Sequence, residues 1–345
     1  MTSPWERGFV EVADRCYVAR YREWDVSIGV VVGAAGALVV DTRASAVQGR
    51  QVREDVARLP GHPEVRWVVN THEHFDHVLG NSAFAAAGIT AHENAAARMA
   101  AAVERIQQQF SVERDLDPAH PEITHQVLDD VRDSPLRRPD ATFSSVATID
   151  LGDRYVELAH PGRGHTDGDL VLRVPDCDVL FAGDLVEESA DRDATPYFGA
   201  DCWPLEWPAT LDFVISLLGE ESLVVPGHGA VVGRAFVETQ REDIAAVADL
   251  VRGLAVAGVP VGEALAAGQG APRSLPLADT YVDDPSGDRE PASPQIGWPF
   301  AAHHLEHAVT RGYEHLGAVR PSLPLVTRES AGTTADRPAG RLAGD

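Results

Sequence analysis

The sequence predicts a mixed α/β fold, with strands and helices intermixed along the chain and sheets stacked in layers. Three features carry that expectation. Short β-branched runs such as "VRWVV" recur from end to end. Stretches rich in Ala, Glu, Gln and Arg with helical spacing fall between them. A length of 345 residues, 44% of them apolar, supplies ample material for a buried core.

Taken in order, "SIGVVVGAAGALVVDT" reads as two apolar strands joined by a Gly/Ala turn at Gly33 to Gly36. Ala44 to Leu59 has helical spacing and stops at Pro60-Gly61. Val65 to Val69 is a short strand ending at Asn70, followed by a loop and a helix predicted over Val78 to Ala87. "HENAAARMAAAVERIQQQF" is a strong helix signal. Residues 111–140 are polar and Pro-containing, so 95–140 is expected to be an insertion or lid with weak order. Strand patterns return at Ala141–Ile149, Arg154–Ala159, Asp169–Val174 and Val179–Ala182, with "PDCD" as a hairpin turn. Trp207–Leu218, Ala235–Val256 and Gly262–Ala267 read as helices, and Leu223–Val225 as a strand. Residues 268–317 are expected to be a Pro/Gly/Asp-rich linker and a helical extension from Trp298, and 318–345 a disordered tail.

Charge narrows the function. Every Lys/Arg is Arg, 29 in all, against 53 acidic residues, for a net charge of −24. That disfavours nucleic acid, whose phosphates need a basic footprint, and an anionic membrane surface. No apolar run is long enough to span a bilayer. The start lacks the basic and apolar segments of a secretory leader. Cys16, Cys177 and Cys202 are odd in number and far apart in sequence, with no C-x-x-C. The expectation is a cytoplasmic protein without a disulfide framework.

The informative stretch is "VVNTHEHFDHVLGN", which packs His72, His74, Asp76 and His77 into six residues beyond a strand. Three other strand ends deliver the same chemistry: His165 in "GRGHTDGD", Asp184 in "VLFAGDLV" and His228 in "LVVPGHGA". Imidazole and carboxylate are good Zn²⁺ ligands, although His/Asp sites also take Fe or Mn. By contrast, His303 and His307 in "HHLEH" lack the order of a helical zinc motif and read as a solvated or packed helix face. Cys177 and Cys202 have no motif His beside them and read as inert.

H-x-H-x-D-H, then G-H-T, G-D and G-H-G, in that order over roughly residues 20–250, resembles the metallo-β-lactamase superfamily, in particular its glyoxalase II-like and quinoprotein-associated hydrolase-like groups. The resemblance implies a four-layer αββα sandwich, here residues 1–267, with a dinuclear site on one edge. It implies two zinc ions per chain: His72, His74 and His165 on the first, Asp76, His77 and His228 on the second, and Asp184 bridging. Asp41 in "VVDT" matches an acid that supports the ligands. The implied reaction is hydrolysis of an ester, lactone, thioester or amide in a small molecule. A hydroxide held between the metals attacks the carbonyl, and Asp76 orients it and takes its proton. Asp184 stands where the best-known zinc β-lactamases carry Cys, which disfavours that activity. "GHTDGD" departs from the usual glyoxalase II "GHTPG". The alternatives are a mononuclear iron enzyme of the sulfur dioxygenase type and a non-catalytic binding protein. Among the aromatics after Asp184, Tyr197 and Trp203 are candidate substrate contacts, against the plainer reading that such rings pack a helix start.

Overall fold

Alternation along the strands sorts the apolar side chains of the chain into two outer sets and one inner set. In Gly36–Val40, Ala37 and Val39 turn to one side and Leu38 and Val40 to the other. The computed structural model describes residues 8–189, 195–269 and 297–317. Its first sheet has the order β1 (Val10–Ala13), β2 (Cys16–Arg20), β3 (Ser27–Gly33), β4 (Gly36–Val40), β5 (Val65–Val69), β6 (Gly88–His92) and β7 (Ala141–Phe143). Its second sheet runs β13 (Val232–Gly233), β12 (Leu223–His228), β11 (Val179–Glu187), β10 (Val171–Val174), β9 (Tyr155–Ala159) and β8 (Val146–Asp150).

The inner set fills the space between the sheets. Val31, Leu38, Val40 and Val69 of the first meet Val156, Leu172, Val179 and Phe181 of the second. The sheets approach so closely that a Cβ at Gly29 would collide with the Phe181 ring. The outer sets are covered by helices. On the first sheet, α1 (Ala46–Val56) buries Val52 and Val56 against Val39 and Val68. On the second, α5 (Trp207–Ser216), α6 (Arg234–Val256), α7 (Val261–Gly268) and α8 (Glu306–His315) form one cluster with Leu180, Ala182 and Val224. Helix, sheet, sheet, helix is the four-layer αββα arrangement.

Several elements differ from the sequence reading, each for a physical reason. The predicted helix over Val78–Ala87 starts earlier, as α2 (Phe75–Val78) running into a 3₁₀ turn over Leu79–Ala83. Phe75 drives this by packing edge-on against Trp24 and Phe110. The run Ala141–Ile149 breaks at Ser144-Ser145, where the chain crosses from one sheet to the other. The strand predicted to end at Ala182 continues to Glu187, through a bulge centred on Gly183 at φ 54°. Residues 95–140 contain two helices. In α3 (Glu93–Val112) Ala95, Met99 and Val103 are buried, and α4 (His125–Arg132) adds Leu128 and Val131. Leu305, Ala308, Val309 and Tyr313 seat the described end of the C-terminal extension in the same core as α6. Most of the predicted linker and all of the 318–345 tail lie outside the described residues. Among the described residues, no helix is long and apolar enough to cross a membrane.

Candidate metal centre

Parallel pairing aligns strand ends. β4 runs parallel to β5, and β11 to β12, so their carboxyl ends open on one edge of the sandwich. β4 ends beside Asp41, and β5 leads into His72, His74, Asp76 and His77. β12 terminates in His228, and the loop between β9 and β10 brings His165. Asp184 lies within β11, beyond the bulge, and not at a strand end as the sequence suggested. Asp76 and His77 ride on the short α2, while His72 and His74 precede it. The result is two groups of potential ligand atoms: His72, His74, His165 and Asp184, then Asp76, His77 and His228. Within each group the ligand atoms all lie within 4.8 Å of one another. Asp184 reaches both. Its Oδ2 is 3.4 Å from His165 Nε2 and 3.2 Å from His228 Nε2, and its Oδ1 is 3.3 Å from His77 Nε2. Close packing fixes it there, because a Cβ at Gly227 would strike its carboxylate.

The imidazole nitrogens facing away from the cluster are mostly held. Asp41 is the hub, accepting from Thr71 N–H (2.8 Å), Thr71 Oγ1–H (2.8 Å) and His77 Nδ1–H (2.9 Å). Its backbone sits at φ 63°, a left-handed conformation that is costly for a residue with a Cβ and recurs where a site dictates geometry. Thr71 Oγ1 also lies 3.1 Å from His72 Nδ1. His228 Nδ1–H donates to the Trp24 carbonyl at 2.7 Å. His74 Nε2 meets the Asp201 carboxylate at 3.1 Å. His165 Nδ1 makes no hydrogen bond and lies 3.7 Å from Glu187. Clamping the outer nitrogen fixes the ring and frees the inner nitrogen for a metal.

The inner atoms fit a cation. His72 Nε2 and Asp184 Oδ1 are buried without a hydrogen bond, a costly condition that a cation relieves. Imidazole nitrogens face each other directly: His165 Nε2 and His74 Nδ1 at 2.8 Å, His77 Nε2 and His228 Nε2 at 3.3 Å. The protein's own charges pull the rings apart in proton affinity. Burial drives His165 down to about 4 and holds His72 well below the usual range. Burial opposes charge on His74 too, but Asp201 outweighs it and lifts the ring to about 9. At His228 burial is outweighed by Asp184, which lifts it to about 10.

Comparison with known proteins agrees with this geometry. The sequence profile of the metallo-beta-lactamase superfamily matches residues 21–228, which include every ligand above. The chain belongs to the metallo-β-lactamase superfamily. It is 33% identical over 99 residues to the metallo-beta-lactamase type 2 of Bacillus cereus, covering 29% of this chain and 38% of that enzyme. It is 26% identical over 164 residues to the enzyme of the same name from Bacillus sp. (strain 170), covering 48% of this chain and 51% of the relative. These matches thus span about half or less of those enzymes. It is also 26% identical to the human acyl-coenzyme A thioesterase MBLAC2, over 65% of this chain and 76% of that one. Among solved structures, the sec-alkyl sulfatase PisA1 double mutant shares the fold over 92% of this chain and 51% of its own, with a TM-score of 0.68 and 14% identity. The Pontibacter korlensis metallo-beta-lactamase does so over 69% of this chain and 98% of its own, with a TM-score of 0.52 and 18% identity.

Within this superfamily frame, the seven expected ligands converge, and the two expected substrate contacts part ways. Tyr197 stands 56% exposed, and its backbone N–H donates to the buried Glu187 carboxylate. The Trp203 ring is engaged within the protein, by the Arg163 guanidinium at 3.8 Å and the stacked His315 ring at 4.2 Å. His303 and His307 join neither ligand group. Three acids escaped the sequence reading. Asp201 holds His74. Glu73 is 1% exposed, and burial raises its carboxyl to about 7. Glu187 is likewise raised to about 8, by burial first and Asp184 second. A signal existed for Glu73 alone, as the charged residue between two ligand histidines.

Proposed function

We propose that this chain is a dinuclear, zinc-dependent hydrolase that cleaves an acyl bond in a small molecule, with thioesters the first candidates and esters, lactones and amides behind them. The observation that carries the proposal is the reach of Asp184, one carboxylate lying against both ligand groups. On this reading His72, His74 and His165 hold one ion, Asp76, His77 and His228 the other, and Asp184 serves both. Bound ions supply Lewis acidity, making water a better nucleophile near neutral pH and stabilising negative charge that develops on a carbonyl oxygen.

The chain's own residues do the rest. Asp41, Thr71, Asp201 and the Trp24 carbonyl keep the rings oriented, so little reorganisation is needed during reaction. Asp76 Oδ2, 3.5 Å from His228 Nε2 and 3.6 Å from His77 Nε2, takes the proton from the attacking water and passes it to the leaving group. No protein nucleophile is required. The human thioesterase relative supports the acyl class, and the −24 charge supports a small molecule over a nucleic acid.

Metal analysis of the purified chain tests the reading, alongside Asp184→Asn. About two zinc ions per chain, falling in the variant, with hydrolysis on a thioester, ester and lactone panel that a chelator abolishes, is the expected result. A single iron per chain with O₂ uptake, or full zinc loading with no hydrolysis of any acyl substrate, refutes it.

A further inference from the structure

Two of the three cysteines, 161 residues apart in sequence, meet in the fold. Cys16 opens β2 in the first sheet, and Cys177 sits in the turn between β10 and β11 of the second. Their sulfurs are 3.2 Å apart, so forming a bond would need about 1.2 Å of further approach. The site is built around them. The Arg154 guanidinium is 3% exposed and held by Asp176 Oδ2 at 2.6 Å and the Asp14 carbonyl at 2.7 Å. It places a fixed positive charge 3.9 Å from Cys16 Sγ. Cys16 is fully buried, whereas Cys177 is partly exposed. The hydrogen-bonding contact with Cys16, reinforced by the Arg154 charge, draws the Cys177 thiol below its ordinary range. Cys202, buried apart from both, makes a natural control.

We propose that Cys16 and Cys177 are a redox site that a peroxide converts into a reversible disulfide joining the two sheets. In the first step the Cys177 thiolate attacks one oxygen of hydrogen peroxide. The O–O bond breaks, hydroxide leaves and takes up a proton as water, and Cys177 becomes a sulfenic acid. Cys16 sulfur then attacks the sulfenic sulfur. The S–S bond forms, the S–O bond breaks, and the departing hydroxide takes the Cys16 proton as a second water. Two thiols lose two electrons and one peroxide gains them; a dithiol reductant reverses the change.

Position defines the consequence. β2 pairs with β3 so that Cys16 faces Val31, while Arg20 at the strand's other end faces Ser27, whose neighbour Val26 bridges His228. The cysteines therefore mark the end of the sandwich away from the metal ligands. A bond there closes a loop of more than 150 residues and restricts the unfolded chain, without touching a ligand.

The full chain, reduced and then treated with a small excess of hydrogen peroxide, is analysed by intact mass, non-reducing peptide mapping and thermal melting. The proposal expects loss of two hydrogen masses and a Cys16–Cys177 linked peptide. It also expects a Tm rise on the order of 5 °C, reversed by dithiothreitol, and unchanged zinc content. In Cys177→Ala, a change at a partly exposed turn, the mass loss and the Tm rise are both absent. Over-oxidation of Cys177 with Cys16 still open to alkylation after unfolding, or a link that includes Cys202, overturns it. So does a linked peptide that leaves Tm unmoved.

Discussion

Asp201 offers the sharpest test of how the centre is held. Its Oδ2 lies 3.1 Å from His74 Nε2 and is the acceptor that fixes this ring while Nδ1 faces His165. Removing a carboxylate from behind a metal-bound histidine costs 10- to 100-fold in metal affinity, about 1.4 to 2.7 kcal/mol. The structure places Asp201 at the lower end of that range. Its side chain is 20% exposed and His74 17%, so water screens the pair, and Arg105 at 3.6 Å already shares the charge. Asp201→Ala is therefore expected to weaken zinc binding about tenfold, read by competition with a chromogenic chelator. Asp201→Asn keeps an acceptor oxygen and should fall between variant and parent. Arg311 donates to the Cys202 carbonyl in the same loop, so Arg311→Ala should loosen Asp201 and lower affinity in the same direction, by less. Zinc held by Asp201→Ala as tightly as by the parent would refute the claim that this hydrogen bond positions His74.

Three further predictions rest on separate contacts. Glu73 is raised from 4.5 to about 7 by burial, so between those pH values the folded chain keeps a proton that the unfolded chain has lost. Stability of chelator-stripped protein then falls as pH rises through that window, by on the order of 3 kcal/mol. Glu73→Gln should accordingly raise the denaturation midpoint of stripped protein at pH 8 and leave it unchanged at pH 4. An equal gain at both values would show that charge is not the cause. Gly29→Val drives a side chain into Phe181 between the sheets and should cost about 1–3 kcal/mol in urea unfolding, and a neutral result would mean the sheets separate easily. Trp203→Ala removes the ring that Arg163 and His315 pack on and should cost about 2 kcal/mol of stability with KM unchanged. A raised KM with intact stability would instead make Trp203 a substrate contact.

The residues of the two clustered groups were legible in the sequence as candidate ligands, because metal chemistry admits few side chains and because most of them follow apolar runs that announce strands. The left-handed Asp41 was partly legible, through its place at the end of "VVDT". Other features depended on what the chain meets after folding. Gly183 and Asp184 read as the end of a strand, yet pairing with β12 carries β11 onward through a bulge to Glu187. α4 hides among prolines and acids because its eight residues are stabilised by burial, with Val131 packed in one cluster with Met99 and Val103 of α3, rather than by propensity. Asp201 acts across 127 residues, and the cysteines meet across 161. Neither contact leaves a local pattern, since each follows from how β11, α5 and the sheets are stacked.

The charge around the site argues for an order of events. Asp41, Glu73, Asp76, Asp184 and Glu187 are all nearly fully buried, and Asp201 joins them at the rim. Against these carboxyls, His74, His77 and His228 are held up in proton affinity, while His72 and His165 are held down and stay neutral near pH 7. Carboxyl groups thus outnumber protonated rings, and the excess is borne partly by keeping Glu73 and Glu187 protonated at about 7 and 8. Burying uncompensated negative charge is costly, and dications compensate it more fully than protons on imidazole. On the proposed reading, loading with dications displaces the protons on these rings and offsets the excess negative charge. Before loading, the pocket repels an anionic acyl substrate; after loading, that repulsion is lifted, with Arg105 exposed at its edge. On that reading metal binds first and substrate second, because the same buried carboxyls that repel an anion attract the cation.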